Sequence, residues 1–140
     1  KFLWLKLLSA NTDIRECGFV AANSLRIEAG FLLFDNELQQ PRLLSELGYE
    51  RFSKEVKPPL ERLVGLSFLN MQPHLDSELT ADLKNSVLPT SRCYSPRMQC
   101  DIGLGFFDYS ILKSGKKKAL TRELEPVEII SLPFYRNDKP

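Results

Sequence analysis

A chain of 140 residues that is 43% hydrophobic and 26% charged has the composition of a soluble globular domain, long enough to bury one core, which excludes disorder as its default state. Nineteen Lys and Arg against 18 Asp and Glu leave a formal charge of +1, without a basic cluster strong enough to draw a polyanion, so nucleic acid is excluded as a first partner. No apolar run approaches the roughly 20 residues a membrane-spanning helix needs, and a membrane location is excluded on the same reading.

The opening Phe2-Leu3-Trp4-Leu5-Lys6-Leu7-Leu8 is too short for a signal-peptide core and precedes no small-residue cleavage pattern. Leu3 and Leu7, with Trp4 and Leu8, stand at helical spacing and predict a short amphipathic helix over 2–9. The chain opens on a lysine without an initiator methionine, so a piece of a longer protein is expected. From Phe19 to Ala29 a second helix is predicted, with Ala21, Leu25 and Glu28 on one face and Gly30 at its C-terminal stop. Phe31-Leu32-Leu33-Phe34 is then expected as a strand or turn, before the polar Asp35-Asn36-Glu37.

Pro58-Pro59 interrupts any regular element and marks a boundary near residue 56. Beyond it come short β-type runs: Leu63 to Phe68, Ser86-Val87-Leu88, Ile102 to Phe107 and Val127 to Leu132. Ser114-Gly115-Lys116-Lys117 is expected as a turn between the last two. Met71 to Asn85 reads equally as a helical turn or a polar strand. Short strands punctuated by glycine predict a small barrel or sandwich, and the whole chain is read as α+β.

Glu28 is the first candidate for chemistry. Its predicted face also carries Ala21 and Leu25, where an unpaired charge is costly, so the carboxylate needs a partner. That partner is either an arginine or lysine that ties the helix to the sheet, or a ligand with adjacent N–H groups for which a carboxylate offers a fork. Arg26, two positions earlier, points nearly the opposite way and is read as an anchor for the helix.

Elsewhere the sequence offers little. Cys17, Cys93 and Cys100 form no C-x-x-C pair, and their odd number argues against a disulfide framework; each is expected as a small buried hydrophobe in a reducing compartment. His74, the single histidine, supports neither a metal site nor a Ser-His-Asp triad. Lys116-Lys117-Lys118 reads as a solvated hairpin tip, and Gly103-Leu104-Gly105 lacks the third glycine and the helix of a dinucleotide loop.

Three stretches recur together, in this order, in one family: Ser24-Leu25-Arg26-Ile27-Glu28-Ala29-Gly30; Thr90-Ser91-Arg92-Cys93-Tyr94-Ser95-Pro96 with Ile102-Gly103-Leu104-Gly105; and Leu132-Pro133-Phe134. With them the chain resembles the C-terminal portion of the glycine-cleavage T-proteins, the folate-dependent aminomethyltransferases. The resemblance implies that residues 1–56 are the end of a folate-binding α/β domain and that residues 57–140 are a small antiparallel β-barrel domain. It implies tetrahydrofolate as cofactor, with Glu28 holding the pterin. Ungapped counting from Pro41 puts Lys54 where the family has an arginine reaching the folate's glutamate or the substrate carboxylate, and Arg51 is the neighbouring alternative.

The family's catalytic acid lies upstream, so no catalytic residue is expected in this stretch, and none of its residues is expected to bind metal. The implied partners are folate, a small one-carbon donor and a lipoyl carrier protein. The implied location is the cytoplasm, or the mitochondrial matrix in a eukaryote. Three departures stand out: Phe34-Asp35-Asn36 for the usual Tyr-Gly-Asn turn, Lys54 for arginine, and Arg92 for glycine. They keep two alternatives open, a non-catalytic module of the same build and a related folate-dependent demethylase.

Overall fold

The computed structural model describes residues 2–11, 13–52, 54, 57–69 and 86–135. The stretch Met71 to Asn85, and His74 within it, lie outside the described residues. Helices α1 (Phe2–Ala10), α2 (Phe19–Glu28) and the single turn α3 (Phe34–Glu37) come first, followed by a 3-10 turn at Glu50–Phe52. Strands β1 (Glu61–Phe68), β2 (Ser86–Ser95) and β3 (Cys100–Asp108) lead to a short helix α4 (Tyr109–Lys113), then β4 (Lys118–Thr121) and β5 (Pro126–Ile130). Among the described residues no helix is long and apolar enough to cross a membrane.

The chain is thus mixed α+β, as expected, with a five-stranded sheet. The strands run β1-β3-β2-β4-β5, and β5 pairs back onto β1 across Gly65↔Ile130 to Phe68↔Val127, closing the sheet on itself. The expected uniformly antiparallel pairing is corrected at one seam: β2 meets β4 in parallel, through Ser86↔Leu120 and Val87↔Thr121. The strand β4 and the helix α4 are additions to the sequence reading. Ser114 to Lys117 connects α4 to β4, so it is not a turn between two strands, and the lysines are not a hairpin tip.

Both faces of β1 and β3 are covered, and period-2 alternation sorts their side chains. Val64, Leu66, Phe68 and Phe107 point inward with Val87, Ala119, Val127 and Ile129. Leu63, Ile102, Leu104 and Phe106 point outward, under Ile27 of α2 and the partly buried Leu132 and Phe134. Removing each large apolar side chain from water stabilises the fold by roughly 1.5–3 kcal/mol, so these two clusters carry it.

The glycines of the Ile102-Gly103-Leu104-Gly105 run belong to the inner cluster. A Cβ at Gly103 would run into the Ser91 carbonyl oxygen and lie 3.1 Å from the Phe68 ring, and one at Gly105 would lie 2.8 Å from the Leu88 carbonyl oxygen. Backbone atoms of β2 cannot be moved aside without breaking the β2–β3 ladder. Gly103→Ala is therefore expected to destabilise the protein by about 1–3 kcal/mol, the usual range for overpacking, measured as a lowered denaturant midpoint. An unchanged midpoint would show that β2 yields easily there.

Helix α2 ends as expected, with Ala29 as C-cap and Gly30 at φ +74. Its buried face is different from the expected one. Ser24, Ile27 and Glu28 are buried, whereas Ala21 is exposed and Leu25 is 56% exposed. The reason is that α2 lies on β2 and β3 with Ile27 turned into the outer cluster, and Ser24 and Glu28 share that face and find partners on β2. Phe31 to Leu33 is coil leading into the turn α3, not a strand. Helix α1 forms as predicted but buries none of its residues, and Cys17 is exposed, unlike the partly covered Cys93 and Cys100.

The short helix α4 depends on its cap. The Asp108 carboxylate accepts the Ser110 hydroxyl and the backbone N–H groups of Ser110 and Ile111 at 2.8 and 3.2 Å. The Ser110 hydroxyl, then the Ile111 N–H, hold that carboxyl below the usual range of an aspartate. A depressed folded-state pKa stabilises above the unfolded value, about 3.9, and this stabilisation fades as pH falls through the folded value. Asp108→Ala is expected to cost about 1 kcal/mol at neutral pH and progressively less below about pH 4. Urea unfolding at pH 7 and pH 3 compares the two; an equal cost at both would refute the charged cap.

Candidate functional site

The three sequence motifs, distant along the chain, meet around α2. Arg26 leaves the helix toward α3 and β2. Its Nη1 lies 3.0 Å from Glu37 Oε2, its Nη2 donates to Ser91 Oγ at 2.8 Å, and its Nε donates to Asn23 Oδ1 at 2.9 Å. The Glu37 side chain is fully enclosed. It accepts the Leu33 backbone N–H at 2.7 Å, the Thr90 hydroxyl at 2.9 Å and the Ser91 hydroxyl as well. Asn36 Nδ2 also donates to Ser91 Oγ, at 2.9 Å. A buried carboxylate is tolerated because a guanidinium and several neutral donors replace its water shell. The anchor expected of Arg26 is present, and its counter-ion is Glu37.

Glu28 points away from Arg26 and is only 4% exposed. Its Oε1 accepts the hydroxyl of Ser95, a residue with no exposed surface, and Ser95 Oγ in turn accepts the Met98 backbone N–H at 3.0 Å. The arginine or lysine considered as a structural partner is not there: among the described residues no ion pair includes Glu28, and Oε2 receives no hydrogen bond. The last motif closes the other side. The Phe134 N–H donates to the Glu28 carbonyl at 3.0 Å, and the Leu132 side chain packs against Gly30, where a Cβ would lie 3.2 Å from it. The Leu132–Pro133 peptide is cis.

Beside Glu28, the Cys93 thiol is pushed up, first by burial and further by the Glu28 carboxylate, while the Ser24 hydroxyl opposes the shift. At neutral pH it is a protonated thiol and a weak nucleophile. Ser24 itself fastens α2 to the strand by donating to the Tyr94 carbonyl at 3.0 Å.

The other candidates are placed differently. Arg51 is exposed on the 3-10 turn, its guanidinium 4.6 Å above the Phe52 ring, and Lys54 is an exposed coil residue. Neither makes a described contact with Glu28. A cavity of about 1010 Å³ runs along the C-terminal end of α2, bounded by Ala29, Gly30, Tyr49, Arg62, Tyr109 and Leu132 among others. It reaches Glu50, but its lining includes neither Arg51 nor Lys54 nor Glu28. Arg92, at the position where glycine was expected, stays on the surface: it joins Asp101 and Glu125 at 2.9 Å each and stacks 3.9 Å above the Phe68 ring.

Sequence reasoning missed Glu37, Thr90 and the backbone N–H of Phe134. Glu37 sits in a polar run that looked solvated, and no local spacing reports that a one-turn helix folds it under β2. Among the described residues no group of three or more His, Cys, Asp or Glu could hold a metal ion.

No family model matches the chain. It is similar over nearly its whole length to curated aminomethyltransferases. It is 27% identical to that of Thermoanaerobacter pseudethanolicus over 97% of the chain and 42% of the relative. It is 29% identical to that of Corynebacterium aurimucosum over 98% and 43%. It is 28% identical to that of Thermosipho melanesiensis over 96% and 41%. The chain spans about two fifths of the length of the curated relatives it matches.

Proposed function

We infer that this chain, which resembles the aminomethyltransferases over nearly its whole length, is the C-terminal portion of a tetrahydrofolate-dependent one-carbon transferase of the glycine-cleavage type. Residues 1–56 then close a folate-binding domain, and the strands of 57–140 form the barrel that packs against it. The observation that carries this reading is Glu28, a carboxylate in the Leu25 to Gly30 motif that is 96% enclosed, neutralised by no cation among the described residues, and held by one oxygen. Oε2 is not sealed from solvent, since among the described residues the buried side-chain polar atom without a partner is Arg42 Nε, so a ligand donor that displaces water can reach it and complete the anion. The adjacent N–H groups of a pterin are such donors, and a carboxylate receives them as a fork.

Tetrahydrofolate would supply the N5 nitrogen that accepts the one-carbon unit. This chain's part is binding and orientation: Glu28 fixes the ring edge, while Arg26 and Glu37 hold α2 in place. Lys54 or Arg51, both exposed and cationic, is the candidate for the anionic end of the cofactor, and lysine would meet it as a point charge without a fork. The exposed Cys17 and the absence of disulfides among the three cysteines suit a reducing compartment, the cytoplasm or a mitochondrial matrix. A small one-carbon donor and a lipoyl carrier protein are the partners of this reading.

Calorimetric titration of the full-length polypeptide that carries this sequence with tetrahydrofolate is the test. Saturable binding supports the reading and directs attention to the one-carbon donor. Absence of binding would instead leave a non-catalytic module of the same build, the alternative favoured by Arg92 and Lys54.

A further inference from the structure

Glu28 has one of its two carboxylate oxygens engaged, and the donor comes from the barrel. Ser95 ends β2 and is followed by the turn Pro96 to Gln99, in which Gln99 has φ 55. The Met98 N–H, returning from that turn, donates to Ser95 Oγ at 3.0 Å and uses one of its acceptor positions. A hydroxyl that accepts from one side is left with its single proton to give on the other, and that proton is directed at Glu28 Oε1. The carboxylate is thereby fixed in rotation about its last bond. Oε2, without a hydrogen bond among the described residues, is left to a ligand.

Resting on the folate-binding reading above, we infer that Ser95 is a positioning residue for the ligand of Glu28: the barrel sets the orientation in which the helix carboxylate meets its donors. The Met98 turn is the second support. If it merely closed β2 onto β3, the Ser95 hydroxyl could sit anywhere on the rim; instead Ser95 has no exposed surface and faces a buried anion 67 residues away in sequence. Ser24, which ties α2 to the Tyr94 carbonyl one residue earlier, sets the distance between helix and strand so that this contact is made without the side chains having to search for it.

The test is a double-mutant cycle on the full-length polypeptide, with tetrahydrofolate titrated calorimetrically into the parent, Ser95→Ala, Glu28→Gln and the double variant. Loss of a hydrogen bond to a charged group predicts that Ser95→Ala weakens binding by about tenfold or more. Because Ser95 acts through the Glu28 carboxylate, it is expected to weaken binding little further once Glu28 is glutamine. Val127→Ala, in the inner cluster away from α2, serves as a control: its midpoint of thermal unfolding should fall while its affinity stays at the parent level.

Equal affinity of Ser95→Ala and the parent, with Glu28→Gln impaired, overturns the positioning role and leaves the folate reading standing. So does an effect of Ser95→Ala that is undiminished in the Glu28→Gln background, since that marks general damage to the fold. Failure of the parent to bind overturns both.

Discussion

Glu37→Ala is expected to destabilise the protein by about 3–5 kcal/mol, the range for removing one partner of a buried ion pair. The side chain it removes is fully enclosed, and Arg26 opposite is 14% exposed. Truncation leaves a guanidinium with little water and no counter-ion, and it strips acceptors from the Leu33 N–H and the Ser91 hydroxyl, whereas the Thr90 hydroxyl can still turn to the Leu104 carbonyl at 3.1 Å. Each orphaned donor adds its own desolvation cost, so the loss exceeds what the ion pair contributes net. Arg92→Ala provides the contrast: Arg92 also has two carboxylate partners, yet it is 42% exposed, and exposed pairs contribute about 0–1 kcal/mol. Guanidinium chloride unfolding of both variants makes the comparison. Similar midpoints for the two would show that water reaches Arg26 once Glu37 is gone.

On the folate-binding reading proposed above, Glu28→Ala is expected to weaken tetrahydrofolate binding by the full-length polypeptide by on the order of 2–5 kcal/mol, or roughly one and a half to three and a half orders of magnitude in Kd. Part of that loss is the charge-assisted fork to the ring, and part is the ligand N–H groups left facing Ser95 and apolar surface. Stability should respond in the opposite sense or hardly at all, because deleting a buried carboxylate that has one neutral donor and no counter-ion removes a desolvation penalty along with a hydrogen bond. A protein that binds less tightly yet unfolds no earlier is the signature of a group kept for its ligand. If the variant instead lost several kcal/mol of stability with unchanged affinity, Glu28 would be a fastening between helix and barrel and no more.

Much of this arrangement can be read from the residues, because the signals are local. Helix α2, its stop at Gly30 and the cores of four strands follow from periodicity and from glycine's tolerance of positive φ. The opposite directions of Arg26 and Glu28 follow from a helical step of two. What was illegible depends on remote packing. Ala21 and Leu25 looked like the buried face because spacing gives a stripe but not its side; β2 and β3 select Ile27, and take Ser24 and Glu28 with it. The strand Lys118–Thr121 was hidden by the lysines that lead into it, although Ala119, Leu120 and Thr121 are all buried and Ala119 joins the inner cluster. Glu37 lies eleven positions beyond Arg26 across a non-helical connection, and Ser95 lies 67 positions beyond Glu28, so no helical or strand spacing could pair either with its partner. The similarity to aminomethyltransferases names the company of these residues without giving their contacts.

The Phe134 N–H that reaches the Glu28 carbonyl comes from near the end of the described chain, and Ser95 comes from its middle. Synthesis delivers these pieces in the wrong order for early assembly: α2 emerges first and must wait for both. Contacts of such long sequence separation form late, because the intervening loop must be closed before they are gained. A chain ending at residue 131 already contains every strand found among the described residues, so it can hold the sheet while lacking the last motif. Completion of the surroundings of Glu28 thus waits for Leu132 to Phe134, and trimming after Ser131 should yield a protein that keeps its sheet by circular dichroism but exposes α2 to proteases.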